Sequence, residues 1–193
     1  MGYTTIFSGT FKINKPLDDE TFQLIKELAT TRRMKRDETK LEHLYGKNFG
    51  IEGEFFVDGK GSFGQESDET VLNNNAPPRT QPGLWCQWTV ENDRKTITWD
   101  GGEKFYQADA WISYLIEAIL KPRGYIVNGS VNAQGDDPED QWSIFAVDNE
   151  LFTKLGWLEG TSQPDSDTYY EEVMEEYKEM LKQQGIDTND LFS

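Results

Sequence analysis

A nearly continuous apolar segment between residues 104 and 120 limits the folds that this chain can adopt. Apolar side chains occupy positions 105, 106, 108, 110–112, 114–116 and 118–120. On an α-helix these positions cover most of the circumference, so other elements must enclose the helix. Pro122 and Gly124 end it. The segment is shorter than the roughly 20 apolar residues that span a bilayer, and the sequence predicts no contact with a membrane.

Several other segments have the patterns typical of strands. Residues 3–13 alternate between a mostly apolar and a polar set, with Ile6 as the exception, which indicates a half-buried strand. Residues 84–90 and 96–99 form one predicted hairpin, and YIVNGSVNAQ and QWSIFAVDNELF form another across GDDPED. We interpret IEGEFFVDGKGSFG as a further strand, and ESDETVLNNNAPPRTQPG as an irregular loop.

A second helix is predicted from about residue 19 to residue 36. Asp18 can cap its first turn, and Leu17 and Phe22 occupy the two positions whose contact fixes the direction in which the chain enters a helix. The apolar stripe that starts at Phe22 then runs into TTRRMKRDETK. This helix and the buried one are expected to cover the sheet.

The order of these elements predicts an α+β fold with a largely antiparallel sheet covered by two helices. We assign residues 1–150 to this core domain and residues 151–193 to a linker and an acidic amphipathic helix. The helix begins near Thr168, where a capping box is present, and ends at Gly185. Its apolar stripe needs a cover, which the core, a partner or a second copy of the chain could supply.

Acidic residues are concentrated towards the C-terminus. The net charge is −16, and residues 134–193 hold 16 acidic residues against three lysines. This region is suited to a basic protein surface, and its charge disfavours direct binding to nucleic acid. The alternative is that the carboxylates only keep the protein soluble. The residues expected to face a partner are Asp136, Asp137, Glu139, Asp140, Glu171, Glu172, Glu175, Glu176 and Glu179.

A basic island lies within this acidic chain, because residues 26–47 contain seven basic and four acidic residues. Arginine is suited to bidentate phosphate recognition, so the island suggests a site for a small anionic ligand or a nucleotide. The alternative is that the cations complement the C-terminal dipole of the first helix. The candidate ligand-binding residues are Arg32, Arg33, Lys35, Arg36, Trp85, Trp99, Lys104 and Tyr106.

The stretch QPGLWCQWTVENDRKTITWDGGEKFY carries three of the six tryptophans. Strand alternation places Cys86 and Trp88 on the core face and Trp85 on the other face. A small enzyme pocket near Trp85, Trp99 and Glu103 is an alternative, although no spacing in the stretch requires one. The Gly101-Gly102 pair fits neither phosphate-loop spacing and is expected to form a tight turn.

We assign no catalytic residue, metal site or cofactor. Cys86 is the single cysteine and His43 the single histidine. Because Cys86 falls on the core face, we expect it to be a packing residue. GDDPED and DSD lack the calcium-loop spacing. The N-terminus lacks the basic start and the apolar run of a secretory signal, so a cytoplasmic location is expected.

TTRRMKRD, EGEFFVDG, QPGLWCQW and WDGGEKFY, with MGYTT at the N-terminus, resemble a family of small uncharacterised proteins found in bacteriophages and bacterial genomes. The resemblance covers residues 1–150 and implies a phage or mobile-element setting and a single compact domain. It implies no catalytic residues. Asn132 or Ala133 stands where the family tends to carry an aromatic residue, and residues 151–193 are an addition to the family pattern.

Three functional hypotheses remain open. The first is a phage-type accessory protein that uses its acidic surface to bind, and thereby inhibit, a host nucleic-acid-binding or defence protein in the host cytoplasm. The second is a protein that binds a small anionic ligand through residues 32–36. The third is a small enzyme. Self-association through the C-terminal helix is compatible with the first hypothesis.

Overall fold

A computed structural model of the 193-residue chain describes residues 3–57, 68–156 and residue 175. The strands are β1 (Thr5–Ile13), β2 (Lys35–Arg36), β3 (Val71–Asn73), β4 (Trp88–Val90), β5 (Thr96–Trp99), β6 (Val127–Gly135), β7 (Gln141–Val147) and β8 (Glu150–Leu155). The α-helices are α1 (Asp19–Thr30), α2 (Glu38–Tyr45) and α3 (Ala108–Tyr114). The predicted α+β class is confirmed.

Six strands form the main sheet in the order β4-β5-β1-β6-β7-β8, and every neighbouring pair is antiparallel. β1 lies inside the sheet and pairs with β6 along its whole length. Glycine is required at Gly9 and Gly129, where φ is +106° and +122° and an added Cβ would collide with a carbonyl oxygen of the facing strand. The strands β2 and β3 form a separate small sheet.

The core lies on one face of the main sheet. Phe7, Phe11 and Ile13 on β1 are buried in the same cluster as the apolar residues of α3. The chain continues from α3 as a π-helix over Leu115–Leu120, and Trp111 and Ile112 on α3 are fully buried. The prediction that this segment is enclosed on most sides is confirmed, although regular helix begins only at Ala108.

Trp88 is at the centre of the aromatic part of this core. Its ring makes edge contacts with Phe7, Phe11 and Phe105, and its indole Nε1 donates to the carbonyl oxygen of Ala108 at 2.8 Å. Cys86 and Val90, two residues to either side, are also buried, whereas Trp85 is half-buried. The predicted burial of Cys86, Trp88 and Val90 is therefore confirmed, but the predicted strand over residues 84–90 is shorter, because only Trp88–Val90 is a strand and Leu84 is half-buried.

The prediction of a helix over residues 19–36 is wrong beyond residue 30. The helix α1 ends at Thr30 and Thr31 is extended, so the arginines of TTRRMKRD follow the helix. Beyond the helix, the backbone forms hydrogen bonds with distant parts of the chain. The N–H of Arg33 donates to the carbonyl of Leu84, and the N–H of Lys35 donates to the carbonyl of Ala76. These partners are distant in sequence, so local helix propensity did not reveal them.

Two of the predicted strands also differ from the structure. Ile51–Gly53 forms a 3-10 turn in which Glu52 has a φ of 53°, so IEGEFF is not a strand. The predicted strand QWSIFAVDNELF is two strands, because Asp148 and Asn149 have positive φ and make a tight turn between β7 and β8. Residues 151–155 thus belong to the sheet. The boundary between the two units of the chain, Met1–Gly156 and Trp157–Ser193, falls after this last strand.

The C-terminal helix predicted from Thr168 to Gly185 lies outside the described residues, apart from Glu175, which is helical and exposed. In the parts of the chain that the structure describes, no helix is both long and apolar enough to cross a membrane.

We predict that Trp88→Ala lowers the free energy of unfolding by about 3–5 kcal/mol, because it leaves a cavity in the core and removes three ring contacts. The matched control is Trp85→Ala, which removes a half-buried ring and should cost about 1 kcal/mol or less. Urea unfolding of both variants provides the measurement. A Trp88→Ala protein that melts within a degree or two of the parent would contradict this placement.

Candidate functional site

Arg33 is the most deeply buried member of the predicted ligand-binding set, with 2% of its surface exposed. Its guanidinium donates to the backbone carbonyls of Phe56 at 2.6 Å, Glu54 at 2.8 Å and Gly53 at 3.3 Å, and to the Gln81 Oε1 at 3.1 Å. Burial lowers the pKa of Arg33 to about 10, so the side chain remains charged at neutral pH. These contacts hold the 53–56 turn in place.

Three polar side chains extend this network into the core. The amide of Gln81 donates to the Glu54 carbonyl at 2.8 Å and to the Tyr114 hydroxyl at 3.0 Å. The Tyr114 hydroxyl donates in turn to the Glu54 carboxylate at 3.2 Å. Desolvation is the largest cause that raises the pKa of Tyr114, so the phenol stays protonated. The network connects α3 to the 53–56 turn without any exposed group.

The other three basic residues of the predicted ligand-binding set at positions 32–36 also have partners within the protein. Arg36 is buried, donates to the Asp68 carboxylate at 2.7 Å and stacks on the Phe56 ring at 4.2 Å. Arg32 donates to the Asn74 carbonyl and the Asn75 side chain, and Lys35 lies 2.6 Å from the Glu52 carboxylate. The structure thus brings the four residues together as internal ties between loops.

The side chain of Glu52 also connects separate loops, and the sequence pattern did not predict this role. Its carboxylate is bonded to Lys35, accepts the backbone N–H of Arg79 at 2.8 Å and lies 3.6 Å from the Arg79 guanidinium. The hydrogen bond from Lys35 is the largest cause that lowers the pKa of Glu52 below its ordinary value. The pattern GIEGE, with glycines of positive φ on either side of Glu52, is the local signal of this turn.

The aromatic members of the predicted set fall into two places. Trp85 lies beside the Arg32 guanidinium, 5.9 Å from the ring centre. Trp99 contacts Phe7 and donates from its indole nitrogen to Gln87 at 3.1 Å. Among the described residues, no hydrogen bond, ion pair or ring contact joins Trp85 to Trp99, so a shared pocket is not supported by any contact between them.

Loop residues 100–107 follow Trp99, and Gln87 holds them at two points. The Gln87 backbone carbonyl accepts the N–H of Asp100 at 2.9 Å, and its side-chain amide donates to the Glu103 carbonyl at 2.9 Å. Gly101 has a φ of +82°, but residues 101–102 form no hydrogen-bonded turn and α3 begins only at Ala108, so the tight turn predicted from Trp99 into the helix is not found. Lys104 and Tyr106, both in the predicted set, are exposed here.

Asp100 is the carboxyl of this loop with a shifted pKa. Desolvation raises the pKa of Asp100, while the Gly102 N–H, which donates to it at 2.7 Å, acts in the opposite direction. The residue is exposed overall, so solvent weakens the effect. The direction of this pKa shift does not by itself identify Asp100 as a catalytic acid or base.

The described members of the predicted acidic surface are Glu175 and the four residues at the turn between β6 and β7. Asp136, Asp137, Glu139 and Asp140 are all exposed there. Two of the carboxylates also hold the start of β1, because Asp136 accepts the N–H of Thr4 at 2.9 Å and Asp140 accepts the hydroxyl of Tyr3. Glu175 is exposed, while Glu171, Glu172, Glu176 and Glu179 lie outside the described residues.

The remaining chemically reactive side chains do not form a site. Burial raises the pKa of the Cys86 thiol to about 12, so the thiolate is not accessible at neutral pH. His43 is exposed on α2. Within residues 3–57 and 68–156, no group of three or more His, Cys, Asp and Glu side chains is arranged to hold a metal ion.

We predict that Arg33→Met lowers the free energy of unfolding by about 3–5 kcal/mol, because the buried Phe56 carbonyl and the Gln81 Oε1 lose their donor. The Gly53 and Glu54 carbonyls each lose one of two donors. Arg32→Met is the control, since Arg32 is only half-buried, and it should cost less than about 1 kcal/mol. Both values can be read from urea unfolding. Similar small losses for the two variants would show that the buried guanidinium is not a structural tie.

A pH dependence is expected from Glu52. Because its folded pKa is lowered, its contribution to stability is complete above the unfolded pKa of about 4.3 and is lost as the pH falls through the folded value. The difference in melting temperature between the parent and Glu52→Gln should therefore be largest above about pH 5 and shrink below pH 4. A difference independent of pH would argue against the ion pairs with Lys35 and Arg79.

Comparison with known proteins adds no assignment. No protein-family model matches the chain, and no curated protein or solved structure is detectably similar to it.

Proposed function

We propose that this protein acts by binding a basic protein partner through its acidic C-terminal third. The observation behind the proposal is the charge distribution, since residues 134–193 account for −13 of the net charge of −16. Such a charge creates a field that accelerates association with a basic surface and orients the encounter. Exposed Asp136, Asp137, Glu139 and Asp140 contribute to it from the described part of the chain.

The contacts that the basic residues at positions 33–36 make within the protein support this proposal. Arg33 and Arg36 are buried, and Lys35 is paired with a carboxylate, so these cations oppose the acidic surface less than their number suggests. The same contacts weaken the hypothesis of an anionic ligand. A phosphate would have to displace the carbonyls bound to Arg33 or the Asp68 carboxylate bound to Arg36. Displacement of the Phe56 carbonyl would leave a buried polar group unpaired, and displacement of Asp68 would break the ion pair of the buried Arg36 guanidinium.

We further propose that the partner is a nucleic-acid-binding or defence protein of a bacterial host. A nuclease or a DNA-binding complex presents lysines and arginines that normally neutralise phosphates. Carboxylates on this chain would occupy those cations and exclude the nucleic acid. The resemblance of residues 1–150 to phage proteins is the reason for preferring such a partner, and the cytoplasm of the host cell would be its location.

The proposal predicts a loss of binding when the acidic segment is neutralised. The probe is a fluorescein-labelled peptide of about 15 residues rich in Arg and Lys, and the readout is anisotropy at 50 and 300 mM salt. One variant of the full chain changes Glu171, Glu172, Glu176 and Glu179 to Gln. The control removes the same number of exposed carboxylates elsewhere, by changing Glu20, Glu42, Glu69 and Glu91 to Gln.

We expect the first variant to bind the peptide at least fivefold more weakly than the control variant, and the parent to lose affinity as salt rises. A chain that ends at residue 156 lacks ten carboxylates and two lysines and should bind more weakly still. Equal affinity of the parent, the two variants and the truncated chain would remove the acidic segment from the mechanism.

A further inference from the structure

Strand β8 (Glu150–Leu155) lies at one edge of the main sheet. Among the described residues, its only strand neighbour is β7. The strand at the opposite edge, β4, has three residues, whereas β8 has six. An edge strand of this length presents a row of backbone donors and acceptors with which a further strand can pair. The β8 edge is therefore the longer of the two at which the sheet could be extended.

The hydrogen bonds between β7 and β8 show which backbone groups of β8 face outward. The N–H of Gly156 donates to the carbonyl of Gln141 at 2.7 Å, and these two residues are opposite each other in the register of the two strands. Bonded and non-bonded pairs alternate along an antiparallel ladder. Within the described residues, the outward groups form no hydrogen bond. They belong to Leu151, Thr153 and Leu155.

The three other side chains of β8 share one face of the sheet, because side chains alternate along a strand. They are an acid, an aromatic ring and a base, at Glu150, Phe152 and Lys154. The Phe152 ring stacks on Phe145 of β7 with 5.4 Å between ring centres. Glu150 and Lys154 are exposed on either side of it. The Glu150 side chain is 69% exposed and lies 4.0 Å from Lys121, so it is accessible to a further cation.

This order of charges is complementary to itself when it is reversed. A lysine on an edge strand ordinarily opposes pairing with other strands. When a second copy of β8 runs antiparallel to the first, with Phe152 opposite its own counterpart, Glu150 of each copy faces Lys154 of the other. The outward backbone groups of Leu151 then meet those of Thr153, so they can form hydrogen bonds in the same register. Charge and backbone geometry thus favour one and the same arrangement.

We propose that two copies of this chain associate through β8, so that their main sheets join into one continuous sheet across a twofold axis at Phe152. Such a dimer contains two Glu150–Lys154 pairs. The two Phe152 residues form a non-hydrogen-bonded pair, in which cross-strand side chains come closest. The proposal goes beyond the binding function proposed above and does not depend on it, because it uses only residues 150–155.

The first measurement is sedimentation equilibrium of the full chain at concentrations from about 5 to 500 µM, the range expected for a small interface. Salt is held at about 150 mM, which screens the long-range repulsion between two negatively charged chains. The parent protein should change from monomer to dimer over this range. A parent that remains monomeric at every concentration overturns the proposal.

The second experiment reverses the two charges one at a time. Glu150→Lys places lysine opposite Lys154, and Lys154→Glu places glutamate opposite Glu150, so each variant should dimerise at least about tenfold more weakly than the parent. An equimolar mixture of the two variants brings opposite charges together again and should dimerise within about threefold of the parent. Glu91→Lys is the control, because it changes the net charge as Glu150→Lys does but lies at an exposed position outside β8, and it should not weaken dimerisation.

The third experiment blocks the backbone of the edge. The N–H of Thr153 points away from β7, so Thr153→Pro removes an outward donor without removing a hydrogen bond of the sheet. This variant should not dimerise at any concentration in the range. Thr153→Val keeps the donor and should dimerise like the parent. Circular dichroism of both variants at low concentration checks that they are folded.

The outcomes distinguish this dimer from other modes of association. If the charge-reversed variants dimerise like the parent, or if their mixture dimerises no better than either alone, the proposed register is overturned. Dimers that persist in folded Thr153→Pro would place the contact outside β8, for example at the predicted C-terminal helix, and would also overturn the proposal. A parent that binds the basic peptide but stays monomeric retains the proposed function and rejects only the dimer.

Discussion

The buried guanidinium of Arg33 organises the loops of this protein. A charged group with 2% exposure is tolerated only when its donors are satisfied, and here three backbone carbonyls and one amide oxygen satisfy them. The carbonyls come from the turn at residues 53–56, which contains little regular structure. The guanidinium supplies this turn with hydrogen bonds of the kind that a neighbouring strand would otherwise provide. It also connects the turn to Gln81 and, through Tyr114, to α3.

The main sheet and the buried helix form a second, apolar unit of stability. Phe7 contacts four aromatic rings, and Trp88 fills the space between β1 and the start of α3. Gly9 and Gly129 let β1 and β6 approach each other closely at the centre of the sheet. Trp88 and Phe105 of the aromatic stretch are thus part of the folding core, whereas Trp85 and Trp99 are half-buried and the hairpin turn at residues 91–95 is largely exposed.

The charge at the surface depends on which charged side chains are buried or ion-paired within the protein. Three basic residues that could have opposed the acidic surface are engaged within the protein, because Arg33 and Arg36 are buried and Lys35 is ion-paired with Glu52. Carboxylates are left at the surface of the turn between β6 and β7. The net negative charge of the chain favours long-range attraction of cations.

Local patterns in the sequence were enough to predict the α+β class, the alternation that buries Cys86 and Trp88, the enclosure of residues 108–120 and the concentration of negative charge after residue 133. These properties depend on the periodicity and the composition of neighbouring residues, which can be read directly from the sequence. Where α1 stops, what Arg33 binds and which side chains adopt positive φ, as Glu52 and Lys104 do, became known only from the folded chain. Those outcomes depend on partners many residues away, such as Leu84, Phe56 and Gln87, and a pattern of neighbouring residues carries no information about contacts of that range.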